Sequence, residues 1–192
     1  MLGGAGCTAL VADLASEPSL REVAAGLATE NEQVDLLVNC GGQYLRGFLD
    51  DTPAADLDTQ YELTVRAPYV LTQLLLPSLR RRPSDIVFVG STAPPAAGLG
   101  AFVAMQAAQA ALVRSLRAEL STDDIRVLSV FPGRTATPRQ QQIFAMEGRP
   151  DSYRPELLLQ PEDVAAATLD ALSLPRRAEV TEVWLRPAEA TY

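Results

Sequence analysis

Short apolar runs alternate with longer amphipathic stretches from one end of this chain to the other. This alternation constrains the fold more than any other feature, because neighbouring parallel strands must be joined by a crossover connection that is usually a helix. Strands of such a sheet are buried on both faces and read as dense runs of Val, Leu, Ile and Phe. The sequence therefore predicts an α/β fold with a mostly parallel sheet of about five strands.

The same alternation places the individual elements. The predicted strands cover residues 8–12, 34–39, 85–89, 126–131 and 180–185. The predicted helices cover residues 20–30, 54–80, 100–120 and 161–172. Pro68 lies within the second helix and predicts a kink there, because proline has no backbone N–H to donate. Residues 138–161 are rich in Gln, Pro and Arg without a clear period, and they are interpreted as a loop or a small lid.

The chain contains no His, and all 16 of its basic residues are Arg, so it has no Lys either. Ser-His-Asp and Cys-His hydrolysis therefore lack their base, and His-ligated zinc lacks its ligands. Schiff-base chemistry and Walker-type phosphate binding lack their ammonium group. A net charge of -8 also argues against nucleic acid as a partner.

Two cysteines, Cys7 and Cys40, are too few for a disulfide framework or a zinc site. The predicted strands put them at opposite ends of the sheet, about 20 Å apart, so both thiols are expected to be free. The first residues do not resemble a signal peptide, and the longest apolar runs are too short to span a bilayer. We therefore expect a cytoplasmic protein with no metal site and no membrane partner.

Ligands of open parallel sheets bind at the carboxyl ends of the strands, so the residues after each predicted strand carry the most information. Asp, Gly, Ser and Pro have routine roles in turns, and no single segment is specific. Their order along the chain is specific. The segments are Asp13-Leu14, Asn39-Cys40-Gly41-Gly42, Gly90-Ser91-Thr92, and Pro132-Gly133-Arg134 followed by Thr137.

In this order the segments resemble the short-chain dehydrogenase/reductase (SDR) family, whose members transfer a hydride between NAD(P) and an alcohol or carbonyl. The resemblance covers nearly all of residues 1–192 and implies a single Rossmann-type domain. Ser91 corresponds to the family's catalytic Ser, although such a hydroxyl reads equally well as a cap on a loop backbone group. The implied cofactor-binding positions are Asp13 and Leu14 near the adenine, Asn39, Gly41 and Gly42 in the family's Asn-Asn-Ala-Gly segment, and Pro132, Gly133 and Thr137 at the nicotinamide end.

The family's catalytic Tyr-x-x-x-Lys pair falls on Phe102 and Gln106, and its Asn on the preceding helix falls on Thr64. A spacing of four puts Phe102 and Gln106 on one helix face. In the family the Tyr hydroxyl is the general acid or base, and the Lys ammonium lowers its pKa. Phe102 has no proton to give and Gln106 carries no charge. These departures predict impaired catalysis, since loss of general acid catalysis costs about 100- to 10,000-fold.

The start of the chain resembles the turn before the family's third strand, so roughly 50 residues of strand-helix-strand-helix have no counterpart. Gly3, Gly4 and Gly6 do not read as a phosphate-binding loop, because a predicted strand follows them. We expect a truncated Rossmann-like three-layer sandwich in which residues 8–12 pair with residues 34–39. Without a Gly-rich turn, and with a net charge of -8, NAD(P) binding is expected to be weak.

Three functions are open at this point. The first is a catalytically impaired family member: a pseudo-enzyme, a partner subunit or a truncated gene product. The second is an active NAD(P)-dependent oxidoreductase whose start is placed too late or whose proton donor is atypical, such as Tyr44 or Tyr153. The third is a non-redox enzyme that uses Ser91 as a polar anchor. The helices over residues 54–80 and 100–120 resemble the family's pairing surface, so a homo-oligomer or heteromer is expected through them.

Overall fold

A computed structural model describes residues 7–30 and 33–189, so Gly3, Gly4 and Gly6 lie outside the described residues. The strands are β1 (Leu36–Asn39), β2 (Ser84–Val89), β3 (Ile125–Pro132) and β4 (Glu182–Leu185). The helices are α1 (Glu17–Glu30), α2 (Ala54–Tyr61), α3 (Ala67–Leu79), α4 (Gly100–Leu120), α5 (Pro138–Met146) and α6 (Pro161–Leu172). A π-helical turn, Glu62–Arg66, joins α2 to α3, and short 3-10 turns occur at Ser121–Asp123, Pro150–Ser152 and Pro155–Leu157.

The four strands form one parallel sheet in the order β1-β2-β3-β4. The register pairs Val38 with Val87 and Val130 with Val183. Because every neighbouring pair is parallel, the carboxyl ends of all four strands lie at one edge of the sheet. The predicted α/β fold with a parallel sheet is confirmed.

Helices cover both faces of this sheet. Along β2, Ile86 and Phe88 point to one face and Val87 to the other, as the two-residue period of a strand requires. On the first face the buried core combines residues of β1, β2 and β3 with residues of α1, α3 and α4: Ala24, Leu37, Leu75, Leu79, Ile86, Phe88, Val113, Leu116 and Val127. On the second face Val87, Leu128 and Val130 pack against Val164, Ala171 and Leu172 of α6. The result is the expected three-layer, Rossmann-like arrangement.

Residues 8–12 form no strand, so the sheet has four strands rather than about five and the predicted pairing with β1 is wrong. The chain here leads directly into α1, which packs on α3 through Leu20, Ala67 and Val70. That contact fixes where the chain enters α1 and leaves Leu10 and Val11 exposed. A strand needs a partner backbone about 5 Å away, and residues 8–12 pair with none of the described residues.

The predicted helix over residues 54–80 is interrupted by the π-helical turn. Pro68 has no N–H, so the carbonyl oxygen of Thr64, four residues earlier, cannot receive its usual helical hydrogen bond. The buried side-chain amide of Gln109 on α4 donates to that oxygen instead, at 2.8 Å. The interruption ends at Arg66, two residues before the proline that predicts a kink, and the Gln109 bond ties the turn to α4.

Residues 138–146 form α5, which corrects the interpretation of residues 138–161 as a loop or lid. Thr137 caps the helix, since its Oγ1 accepts a hydrogen bond from the backbone N of Gln140 at 3.1 Å. Pro138 occupies the start of the first turn, where its missing N–H costs nothing. Ile143 and Phe144 are the buried residues of α5. The apolar residues of this nine-residue helix are four consecutive ones at its end, Ile143 to Met146. They give no helical period, which is why the pattern does not reveal the helix.

Both thiols, Cys7 and Cys40, are free and exposed. Cys7 does not lie in a strand, so the predicted separation along the sheet does not apply to it. None of the helices in the described residues is long and apolar enough to cross a membrane.

Candidate functional site

A cleft of about 770 Å³ lies at the carboxyl edge of the sheet, between the segments that follow the strands and helices α4 and α5. Parallel sheets bind their ligands at this edge, so the cleft is the candidate site. Nine of the twelve residues that the sequence nominates line it: Gly41, Gly42, Thr64, Ser91, Phe102, Gln106, Pro132, Gly133 and Thr137.

The other three nominated residues do not line the cleft. Asp13 lies before α1, where its Oδ1 accepts a hydrogen bond from the backbone N of Ala15 at 2.9 Å. Leu14 packs against Gly41 so closely that a Cβ there would lie 2.5 Å from its Cδ1. Asn39 is buried at the end of β1, and its Nδ2 has no hydrogen-bond partner among the described residues. Leu14 therefore packs behind Gly41, and Asn39 is buried at the strand end without lining the cleft.

Phe102 and Gln106 both line the cleft from α4, as their spacing predicts. Phe102 is only 7% exposed, and its ring closes one wall. The Oε1 of Gln106 is buried without a partner, and a Cβ on Gly90 would lie 3.2 Å from it. The structure thus brings together the two positions that carry Tyr and Lys in the family resemblance. Neither side chain has a proton to transfer or a charge to lower a neighbour's pKa.

Thr64 and Ser91 complete the nominated catalytic positions. Thr64 is 2% exposed, and its Oγ1 has no hydrogen-bond partner among the described residues. Ser91 Oγ accepts a hydrogen bond from the backbone N of Ala93 at 3.1 Å, which is the loop cap that the sequence offers as the alternative role. No His or Lys exists in the chain to activate Ser91 as a nucleophile. Its hydroxyl can orient a polar group of a ligand but cannot attack one.

Tyr44 places a second aromatic ring in the cleft, directly against Phe102, with ring centroids 5.1 Å apart. Its hydroxyl is buried and makes no hydrogen bond of normal geometry to the described residues, although the carboxylate of Glu147 lies near it. Burial raises the pKa of Tyr44, and the carboxylate of Glu147 adds to the rise, while Arg46 and Arg134 oppose it. The phenol therefore stays protonated at neutral pH. Tyr153, the other candidate donor in the sequence, packs on Phe144 and does not line the cleft.

The loop that carries Tyr44 is fixed at two points. With its amide oriented to satisfy both atoms, the fully buried Gln60 donates to the carbonyl of Gln43 at 3.1 Å and accepts from the N–H of Leu45 at 2.8 Å. The N–H of Gly47 donates to the carbonyl oxygen of Gly98 at 2.9 Å, which ties this loop to the loop after β2. Sequence reasoning does not find Gln60, because a polar residue in an amphipathic helix reads as solvent-facing.

Among the described residues, Glu147 is the one carboxylate that lines the cleft, and two arginines neutralise it. Arg134 and Arg149 lie 2.9 Å and 2.7 Å from its Oε2, and both guanidinium groups lie over the ring of Phe144. Burial alone would raise the pKa of Glu147, but the hydrogen bonds from Arg134 and Arg149 outweigh it and hold that pKa below its usual value. Glu147 is therefore ionised at neutral pH and cannot act as an acid.

Five arginines line the cleft, and only Glu147 opposes their charge. This is the reverse of the whole chain, where acidic residues outnumber basic ones and the net charge is -8. Arg46, Arg139 and Arg186 make no hydrogen bond or ion pair within the described residues. The predicted long-range repulsion of anions therefore does not describe the cleft itself, because nearby charges dominate over distant, screened ones.

Comparison with known proteins shows the family of the chain. The chain matches the family model described as short chain dehydrogenase over residues 2–148, which is more than half its length. A sepiapterin reductase from Chlorobaculum tepidum is 28% identical over 187 residues, which are 96% of this chain and 74% of that protein. The oxidoreductase UcpA of Salmonella typhimurium is 30% identical over 190 residues, which are 95% of this chain and 68% of that protein.

Solved structures of dehydrogenases and reductases share the fold of this chain. The closed form of a serine dehydrogenase complexed with NADP+ is 25% identical with a TM-score of 0.83, covering 94% of this chain and 76% of that chain. A 3-ketoacyl-(acyl-carrier-protein) reductase from Brucella melitensis, complexed with NADH, is 24% identical with a TM-score of 0.80, and this likeness concerns the fold. It covers 94% of this chain and 77% of that chain. On the family match and the 30% identical relative, the chain belongs to the short-chain dehydrogenase family.

Proposed function

We propose that this protein is a short-chain dehydrogenase whose hydride-transfer chemistry is impaired, and that it serves as a ligand-binding pseudo-enzyme or partner subunit. The observation that carries the proposal is the pair Phe102 and Gln106 on the cleft wall of α4. A carbonyl gains a proton when it gains a hydride, and the family resemblance assigns that proton to this pair. Loss of such a general acid alone costs about 100- to 10,000-fold in rate.

The surroundings of the pair support the proposal. Tyr44 covers Phe102 with an aromatic ring, and the buried Oε1 of Gln106 has no ionisable neighbour bonded to it. Glu147, the one carboxylate of the cleft, is held ionised by Arg134 and Arg149. Phe102, Gln106 and Glu147 therefore offer neither an acid ready to donate nor a base ready to accept at neutral pH.

The family's cofactor, NAD(P), fits part of the cleft. Gly42 faces open space, because no atom lies within 4 Å of a Cβ built on it. Gly133 allows a close approach to Pro187 that a side chain would obstruct. Gln140 points a buried, unpaired Nε2 donor at the same end, and Thr137 caps α5 there. Pro132, Gly133 and Thr137 would hold the nicotinamide end, where the dinucleotide supplies or accepts a hydride when bound. These residues would position the nicotinamide, and none of them would supply a proton.

The test compares the wild-type chain with the double variant Phe102→Tyr/Gln106→Lys. Both proteins are assayed for oxidation of NADH and NADPH with a panel of aldehydes and ketones. We expect no turnover by the wild type above the enzyme-free rate. Turnover gained by the double variant would assign the loss to these two side chains, whereas wild-type turnover at the rates of ordinary enzymes, about 1 per second or more, would contradict the proposal.

A second candidate is an active oxidoreductase that takes its proton from Tyr44. The hydroxyl of Tyr44 is protonated, buried in the cleft and without a hydrogen-bond partner among the described residues, beside the ring that replaces the family's tyrosine. This candidate predicts wild-type turnover that Tyr44→Phe abolishes and Tyr153→Phe leaves intact. Its raised pKa suits donation to an alkoxide and opposes proton removal from an alcohol, so the activity would be a reduction.

A further inference from the structure

The groups around the Tyr44 hydroxyl carry an unbalanced positive charge. Arg46, Arg134 and the carboxylate of Glu147 all lie close enough to affect the pKa of Tyr44. Arg149 pairs with the same carboxylate at 2.7 Å, so three guanidinium groups and one carboxylate share this end of the cleft. Arg134 and Arg149 are both used by Glu147, which leaves the charge of Arg46 without a partner among the described residues.

Part of the Arg46 side chain packs over Gly98, although the residue as a whole is exposed. Its Cγ and Nε lie 3.3 Å and 3.4 Å from where a Cβ on Gly98 would be, so the side chain runs over that glycine. Gly98 has a φ of +76°, a conformation that favours glycine, and its carbonyl accepts the N–H of Gly47. Because the glycine leaves room for the arginine stem, the guanidinium reaches the cleft from an anchored loop. A pre-positioned guanidinium loses less entropy when it binds an oxyanion.

A second unpaired donor lies on the same loop. The Tyr44 hydroxyl is buried and keeps its proton at neutral pH. It makes no hydrogen bond of normal geometry to the described residues, although the carboxylate of Glu147 lies near enough to raise its pKa. A buried donor without an acceptor is costly, and such groups are usually satisfied by a ligand or by water. Arg46 and Tyr44 together offer a guanidinium fork and a hydroxyl to the same oxyanion.

We infer that the β1 end of the cleft binds the oxyanion of a small organic ligand, a carboxylate or a phosphate, through Arg46 and the Tyr44 hydroxyl. The inference rests on the proposed function in so far as the cleft binds a ligand, and it names the ligand's chemical class. Arg186 follows β4, which is three strands or about 14 Å from β1, and Arg139 lies on α5, so substitutions of these two arginines test the rest of the cleft.

The test measures anion binding directly, without cofactor and without turnover. Malonate and inorganic phosphate are titrated into the wild-type chain by calorimetry, with malonamide as the neutral counterpart of malonate. We expect malonate, phosphate or both to bind at millimolar concentration, and malonamide not to bind. The anion that binds more tightly shows whether the site prefers a carboxylate or a phosphate.

Three variants locate the site. Arg46→Gln is expected to weaken anion binding by about tenfold or more, and Tyr44→Phe by several fold. Arg82→Gln removes the same charge at the amino end of β2, on the edge of the sheet away from the cleft, and should leave the affinity unchanged. Thermal unfolding of each variant confirms that it is folded.

Four results would overturn the inference: binding of neither anion, equal binding of malonamide, an equal loss in Arg46→Gln and Arg82→Gln, or a loss in Arg139→Gln or Arg186→Gln that Arg46→Gln does not share. None of them bears on hydride transfer. Conversely, turnover by the wild type would defeat the proposed impairment and leave the anion affinities as measured, so the two failures are distinguishable.

Discussion

The ring of Tyr44 lies against the ring of Phe102, with centroids 5.1 Å apart and planes tilted by 59°. The two rings form one apolar wall at the place where the family resemblance puts a catalytic hydroxyl. The only hydroxyl on this wall belongs to Tyr44, on the loop after β1 rather than on α4. The Tyr44 proton therefore comes from the loop after β1 rather than from α4, and it lies near Arg46 and Glu147.

Replacing Tyr44 by Phe tests whether its hydroxyl is without a partner. In buffer free of added anions we expect the free energy of unfolding to change by no more than about 1 kcal/mol, because no hydrogen bond is lost. Phe102→Ala, which removes a buried ring from the same wall, should cost about 3 kcal/mol. Urea unfolding of the three proteins makes the comparison. A loss of about 2 kcal/mol or more in Tyr44→Phe would reveal a bonded hydroxyl.

Glu147→Gln tests the ion-pair cluster under α5. At pH 7 we expect the variant to be less stable by about 2 kcal/mol, because Arg134 and Arg149 lose the carboxylate between them. The folded state lowers the pKa of Glu147, so its stabilisation is complete above the ordinary value of 4.5 and disappears as the pH falls below it. The stability gap between wild type and variant should therefore close in acid.

Glu156→Gln is the matched control for this change. Glu156 is exposed and has no ion pair among the described residues, so its substitution should leave stability unchanged at either pH. If the gap between wild type and Glu147→Gln stayed constant from pH 7 to pH 3, the stabilisation would not come from the ionised carboxylate.

Gln109→Leu tests the bond that replaces the helical hydrogen bond lost at Pro68. The substitution removes the side-chain donor to the carbonyl oxygen of Thr64, and we expect a loss of about 1–3 kcal/mol in unfolding free energy. Gln106→Leu, on the same helix, removes an amide whose Oε1 is already unpaired and should cost less than about 1 kcal/mol. Equal losses in the two variants would contradict this role of Gln109.

Self-association through α4 is a further prediction. The exposed face of α4 carries small residues at helical spacing, Ala104, Ala107, Ala111 and Ala118, and such residues let two helices approach closely. Sedimentation should show a dimer at tens of micromolar, and Ala111→Arg should dissociate it. Ala166→Arg, on the exposed face of α6, should not. A wild-type monomer at that concentration would contradict this prediction and would mean that α4 packs only on the sheet of its own chain.

Local sequence patterns predict most of the helices and strands of this fold. Helices α4 and α6 begin and end at the predicted residues, because their starts and stops carry local signals such as Pro161 followed by acidic residues. Residues 8–12 form no strand because a strand needs a partner backbone, and none of the described residues pairs with them. No local pattern carries that information. Helix α5 was missed although Thr137-Pro138 is a start signal, because its apolar residues show no period.

The sequence predicts the cleft residues that follow the strand ends, and it predicts less well those that come from loops. Ser91, Phe102, Gln106 and Gly133 follow or face the strand ends and meet in one cleft as expected. The positive lining was not predicted, because Arg46, Arg139, Arg149 and Arg186 come from separate segments and the total charge is negative. Net charge is a sum over the whole chain, whereas a ligand responds to the charges nearest to it.

The most direct test of the central claim is whether the wild-type chain transfers a hydride at all. NADH and NADPH deuterated at the transferred position are incubated with the protein and the carbonyl panel, and the alcohol products are analysed for deuterium by mass spectrometry. The impaired cleft predicts no deuterium in any alcohol above the protein-free control, because Phe102 and Gln106 supply no proton for the nascent alkoxide. Deuterated alcohol formed at about 1 turnover per second or faster would contradict the account.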